Sequence, residues 1–63
     1  MDKKTLIARL RQLETADKNA LDVYTELTEL VKDEGQRKAF SRIANDEKRH
    51  VALCKEMLLL LEK

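Results

Sequence analysis

Apolar residues in the first half of the chain recur at alternating steps of four and three positions. The stripe is Leu6, Leu10, Leu13, Asp17, Ala20, Tyr24, Leu27 and Val31. This spacing is typical of an α-helix that packs one face against a partner. It predicts a helix over about residues 3–31, with Asp2 as its N-cap and Thr5 as the alternative cap. Asp17 is the one charged residue in the stripe.

The second half of the chain shows the same alternating steps. Its stripe is Gln36, Phe40, Ile43, Glu47, His50, Cys54, Met57 and Leu61. The pattern predicts a second helix over about residues 34–62. Glu47 and His50 then lie where we expect an apolar core. Ionisable side chains are costly in such a place unless they are paired or bind a metal ion.

The turn between the helices, at about residues 32–35, has two interpretations. Gly35 could end the first helix as a left-handed cap. Alternatively, Asp33 caps the second helix, with Gln36 as its capping-box partner. We favour the second interpretation because it brings Asp17 to the level of Glu47 and His50. The glycine cap would offset these side chains by about 7 Å, at a rise of about 1.5 Å per residue.

The predicted fold is all-α, a single antiparallel helical hairpin over residues 1–63. Its apolar face is broader than two helices can cover. The flanking apolar positions are Ile7, Ala16, Leu21, Val23, Leu30, Ala39, Ala44, Val51, Leu53, Leu58 and Leu60. A large exposed apolar surface usually marks an interface. We therefore expect the hairpin to dimerise into a four-helix bundle, as a homodimer or within a higher homo-oligomer.

Composition narrows the classes of partner and the compartment. A 63-residue chain with one cysteine is marginal alone and cannot form an internal disulfide. Charged residues make up 40% of it, yet the net charge is +1, which argues against binding nucleic acid or an anionic membrane. No apolar segment is long enough for a bilayer, and the start leads into an amphipathic stripe instead of a signal peptide. With the free thiol, this favours a cytoplasmic location.

Asp17, Glu47 and His50 form a candidate metal site. In a two-fold dimer the set becomes four carboxylates and two histidines, which is the ligand set of di-iron and di-manganese bundle proteins. Four carboxylates can neutralise two divalent cations about 4 Å apart. The imidazoles favour iron, manganese or zinc over calcium. These residue types leave iron, manganese and zinc open as the metal.

Two segments resemble the metal-binding helices of the ferritin-like superfamily. Residues 16–24, ADKNALDVY, resemble the first helix, and residues 40–50, FSRIANDEKRH, resemble the second, in the form found in rubrerythrins. As in that family, a carboxylate precedes a tyrosine by seven residues, here Asp17 and Tyr24, and lies about thirty residues before the Glu of Glu-x-x-His. The single hairpin is similar in size to subunits of encapsulated ferritins. Asp17 departs from the family, which normally has Glu there.

The resemblance implies an iron protein that reacts with dioxygen or peroxide. Its activity would be that of a ferroxidase, a peroxide-reducing enzyme or an iron-handling protein. The residues alone leave a second hypothesis open, a metal-free module for helical self-association or protein interaction, in which polar stripe residues set the register.

The remaining side chains near the predicted site have simpler interpretations. Glu14 is expected to be a rim charge, with a ligand role as the alternative. Tyr24 is expected in the core, where it could also hydrogen-bond a ligand carboxylate. Cys54 and Met57 are expected to fill the core.

Overall fold

The computed structural model describes residues 2–63, and they form a helical hairpin. Helix α1 spans Lys3–Leu30 and helix α2 spans Glu34–Leu61, so each has 28 residues. The helices pack against each other along a body of 46 × 14 × 14 Å. The predicted all-α hairpin is confirmed. Each helix ends one residue before the predicted position.

Each helix is capped at its N-terminus by an aspartate. The Asp2 carboxylate accepts a hydrogen bond from the Thr5 backbone N–H at 2.7 Å, and Asp33 accepts one from the Gln36 N–H at 2.8 Å. Each bond satisfies a donor that the first helical turn leaves unpaired. Gly35 lies within the first turn of α2, and its φ is not positive. The glycine-cap interpretation is therefore wrong, and the Asp33 cap is confirmed.

The interior of the hairpin is thin. The buried apolar residues, each 6–8% exposed, are Leu10, Ala44, Val51, Cys54 and Leu58. No side chain within residues 2–63 is less than 2% exposed. A two-helix contact buries one narrow strip of each helix, so most apolar residues of the predicted stripes are only partly buried.

The buried face of α2 differs from the predicted stripe. Cys54 of the predicted stripe is buried, but the other buried positions are Ala44, Val51 and Leu58, in place of the exposed Ile43, His50 and Met57. Each set has a spacing of seven residues, and the two sets are offset by one position. The face of α2 that contacts α1 therefore keeps half of the predicted stripe, Phe40, Glu47, Cys54 and Leu61, and takes Ala44, Val51 and Leu58 for the other half. The prediction that His50 and Met57 lie in the core is wrong for the single hairpin.

The stripe of α1 is only partly buried. Leu10 is buried, whereas Leu13 keeps half of its surface exposed. Across residues 2–63, neither helix combines the length and the apolar character needed to cross a membrane.

Candidate metal centre

The three predicted ligands lie together in the structure. One ligand atom each from Asp17, Glu47 and His50 lies within 4.8 Å of the other two. The distance from His50 Nδ1 to Glu47 Oε1 is 4.0 Å. The structure thus brings one carboxylate of α1 against a carboxylate and an imidazole of α2.

The meeting of these side chains follows from the lengths of the helices. Asp17 is the fifteenth of the 28 residues of α1, and Glu47 is the fourteenth of the 28 residues of α2. Two antiparallel helices of equal length, joined by three residues, have their midpoints at one level. Glu47 and His50 are three residues apart and are therefore neighbours on the surface of α2.

Glu47 is largely buried. Its side chain is 17% exposed, and its Oε2 atom is buried without a hydrogen-bond partner. A buried acceptor that lacks a partner costs about 1–3 kcal/mol. A bound cation would satisfy this oxygen.

Asp17 and Glu47 have neither lysine nor arginine as a partner. In the part of the chain that the structure describes, neither forms an ion pair with lysine or arginine. The ion pairs with Lys and Arg are Arg11–Glu62, Lys18–Glu14, Arg37–Glu34 and Arg49–Asp46. Two partly buried carboxylates thus have no lysine or arginine to compensate their charge, and a divalent ion would balance it.

The thiol of Cys54 contacts the Asp17 carboxylate, with 3.8 Å between Sγ and Oδ2. Burial raises the pKa of this thiol, and the negative charge of Asp17 raises it further. The thiol therefore stays protonated at neutral pH and donates a hydrogen bond to Asp17. Cys54 is buried as predicted, but the sequence interpretation missed this contact. Its position one turn beyond His50 on the same stripe is the signal that could have revealed it.

Asp17 and His50 open onto an apolar groove between the helices, which we call the ligand groove. Its volume is about 350 Å³, and it is lined by Leu10, Leu13, Asp17, His50, Leu53, Cys54 and Met57. His50 stands at its edge, with 52% of the side chain exposed. The groove therefore joins two potential ligands to an exposed apolar surface.

Two further residues lie outside the cluster. Tyr24 packs against Phe40, with 6.3 Å between the ring centroids, closer to the turn than the three ligands. Glu14 is partly buried, with its Oε1 atom 3.9 Å from Lys18 Nζ. The three-residue cluster does not include Glu14.

The donor atoms of the cluster are of types that bind metal ions, but they lie farther apart than the ligand atoms of an occupied metal site. Ligand atoms about 2.0–2.2 Å from a shared ion lie about 3 Å apart when they are adjacent in its coordination shell. To bind one ion, the donor atoms of the three side chains would therefore have to move about 1–2 Å closer together. His50 has room to rotate because it faces the groove. Two carboxylates and one imidazole form a donor set for iron, manganese or zinc.

Comparison with known proteins gives no match to a family model, to a curated protein or to a solved structure. The resemblance to the ferritin-like superfamily therefore stays a prediction, and the functional inference rests on the geometry of the three side chains.

Proposed function

We propose that this protein is a di-metal carboxylate protein of the ferritin-like type, with iron as its metal. Asp17, Glu47 and His50 from each of two hairpins would form the site. The observation that carries the proposal is the buried, unpartnered Oε2 atom of Glu47, which belongs to a cluster with a second carboxylate and an imidazole.

A second hairpin is part of the proposal because one hairpin offers only three ligands. Two copies provide four carboxylates and two imidazoles, and the four negative charges balance two divalent ions. The same set is used in di-iron bundle proteins, where two helices give a carboxylate and two give Glu-x-x-His. The exposed apolar residues around the ligands give the second copy a surface on which to pack.

Each side chain has a distinct role in this proposal. Glu47 supplies a largely buried carboxylate, and His50 supplies a nitrogen ligand from the edge of the groove. Cys54 holds Asp17 by donating to Oδ2. The leucines and methionine of the groove would exclude water from the site once it is covered. Bound iron would supply redox chemistry with dioxygen or peroxide, which corresponds to ferroxidase, peroxide-reducing or iron-handling activity.

Anaerobic titration with Fe(II), followed by exposure to air, tests this function. We expect saturation near one iron per chain and then a ferric absorption band. Replacing both Glu47→Ala and His50→Ala should abolish saturable binding. The matched control is Glu56→Ala, since Glu56 is an exposed carboxylate of α2 outside the cluster. Absence of saturable binding by the natural chain, or equal binding by the double variant, would refute the proposal.

A metal-free self-association or protein-interaction module is the second candidate function. The observation in its favour is the set of half-exposed apolar side chains Leu13, Leu53 and Met57. The two candidates differ in their response to a chelator. A register-setting role for Asp17 and Glu47 predicts that the melting temperature is the same with and without chelator, whereas a metal site predicts a clear decrease.

A further inference from the structure

We propose that a cationic cleft beside the turn binds a phosphate group, either as free inorganic phosphate or on a small organic molecule. The cleft, which we call the turn cleft, lies between Thr28 of α1 and the face of α2 that carries Lys38, Ser41, Arg42 and Asn45. It shares no lining residue with the ligand groove. A ligand in the turn cleft therefore does not depend on the proposed metal site.

The turn cleft has an excess of positive charge that the hairpin does not neutralise. Its lining has three cationic side chains, Arg37, Lys38 and Arg42, and one carboxylate, Glu34, so its net charge is +2. Glu34 is paired with Arg37, with 3.6 Å between Oε2 and Nη1. Within residues 2–63, neither Lys38 nor Arg42 forms an ion pair. A phosphate monoester carries about −1.5 to −2 charges at pH 7, so one such group balances the excess.

Lys38 and Arg42 are held close together by the helix that carries them. They are four residues apart on α2, so their Cβ atoms are about 5–6 Å apart, and like charges at this spacing destabilise a helix. An anion between the two side chains replaces this repulsion with attraction to both. The planar guanidinium of Arg42 can donate to two phosphate oxygens at once, and the ammonium of Lys38 adds a point charge.

Two neutral hydrogen-bond donors lie on the same face of α2. Ser41 and Asn45 follow Lys38 by three and seven residues, which is the spacing of one helical face. The side-chain hydrogen bonds within residues 2–63 use neither of them, nor Lys38 or Arg42. Ser41 is partly buried, so its hydroxyl lies at the base of the turn cleft. Four donor side chains of one face are thus available to a single anion.

The size and setting of the turn cleft favour a small ligand over a polyanion such as nucleic acid. Its volume of about 510 Å³ lies within the range of about 300–1,000 Å³ that is usual for small-molecule pockets. A longer polyanion would pass the adjoining cleft, which shares Thr28, Ser41 and Asn45 and includes the carboxylate of Glu29. The whole chain also has a net charge of only +1, which gives little attraction for an extended polyanion.

The test is an NMR titration of the isotope-labelled full chain in chelator, with inorganic phosphate and with glycerol 3-phosphate as separate probes. Sodium chloride keeps the ionic strength constant. We expect saturable shifts of backbone amide signals around residues 38–45. Arg42→Gln and Lys38→Gln should each raise the dissociation constant about tenfold, the effect of losing one charged hydrogen bond. Arg42→Lys should raise it less, because the charge remains.

The matched control is Lys55→Gln, which removes the same charge from an exposed position of α2 outside the turn cleft. It should change the dissociation constant by less than about twofold, since salt screens distant charges. All four variants are at exposed positions and replace one good helix former with another, so the fold should persist.

Two results would overturn the phosphate site. One is the absence of saturable shifts with either probe, and the other is an equal rise of the dissociation constant in Arg42→Gln and Lys55→Gln. Tighter binding of glycerol 3-phosphate than of inorganic phosphate upholds the site and identifies an organic phosphate as its ligand. Equal or weaker binding of glycerol 3-phosphate upholds the site and identifies free phosphate. Because the titration contains chelator, each result is independent of metal binding at Asp17, Glu47 and His50.

Discussion

The ligand groove and the surface near the chain ends that is lined by Arg11, Lys55, Leu58, Leu59 and Glu62, which we call the opposite flank, are built by the same hairpin and differ in how their charges are paired. On the opposite flank, Arg11 and Glu62 form an ion pair between the helices, and both side chains remain in water. At the ligand groove, Asp17 is partly buried beside exposed leucines, and neither it nor the neighbouring Glu47 has a lysine or arginine partner. The opposite flank pairs its charges across the hairpin, whereas the groove side holds two carboxylates that no lysine or arginine neutralises.

The largest expected effect that separates the two sides is stabilisation by metal. At a free Mn(II) or Fe(II) concentration 100 times the dissociation constant, the free energy of unfolding should rise by about 2.7 kcal/mol. The rise should vanish in Glu47→Gln and persist in Glu56→Gln, as measured by urea unfolding with and without chelator. Stabilisation of equal size in both variants would show that the ion binds elsewhere.

The loss in the free energy of unfolding on truncating an apolar side chain should differ between the two sides by nearly as much. Leu10, at the floor of the groove, is 8% exposed, whereas Leu59 on the opposite flank is 68% exposed. Leu10→Ala should lower the free energy of unfolding by about 2 kcal/mol, because it removes a buried side chain. Leu59→Ala should change it by less than about 0.5 kcal/mol. Equal losses, measured by urea unfolding at one protein concentration, would contradict the assigned burial.

Changes at Cys54 should have effects of intermediate size, since its thiol contacts Asp17. Burial and Asp17 raise the pKa of its thiol, so iodoacetamide at pH 8 should modify the folded chain about tenfold more slowly than the chain in urea.

The raised pKa of the Cys54 thiol also makes the free energy of unfolding depend on pH. The contribution of this raised pKa to the free energy of unfolding is complete below the thiol's ordinary pKa. It is lost as the pH rises through the raised pKa of the folded chain, because the thiol ionises first in the unfolded chain. Cys54→Ala should remove this decline, and a decline of equal size in that variant would assign it to another group.

The smallest expected effect is on the opposite flank. Arg11 and Glu62 are 62% and 39% exposed, so their ion pair is screened by water. Arg11→Ala should lower the free energy of unfolding by about 0.5 kcal/mol or less. It should leave the dimer and metal affinity unchanged. A large loss of either would mean that the opposite flank is also an interface.

Much of the hairpin could be predicted from the sequence because its signals are local. The capping interaction at Asp33 involves Gln36, three residues away, and it fixed the level at which the helices meet. That level then placed Asp17 beside Glu47 and His50, as the structure shows. These inferences need only helix geometry and the position of the turn.

The degree of burial could not be predicted in the same way. The stripe that contains His50 and the stripe that contains Val51 are offset by one position and have the same period. Helical spacing cannot decide which stripe faces α1, since that depends on packing across the whole contact. Cys54 lies on the face that contacts α1 in both cases, so its contact with Asp17 was open to sequence reasoning and was missed.

Native mass spectrometry of the chain loaded with Fe(II) under anaerobic conditions is the most direct test of a shared di-metal site. The expected result is a species of two chains with two iron ions, which dissociates into iron-free chains when Glu47 and His50 are both replaced by alanine. A natural chain that is detected only as an iron-free species, or as a single chain that retains iron, would contradict a metal centre built between two hairpins.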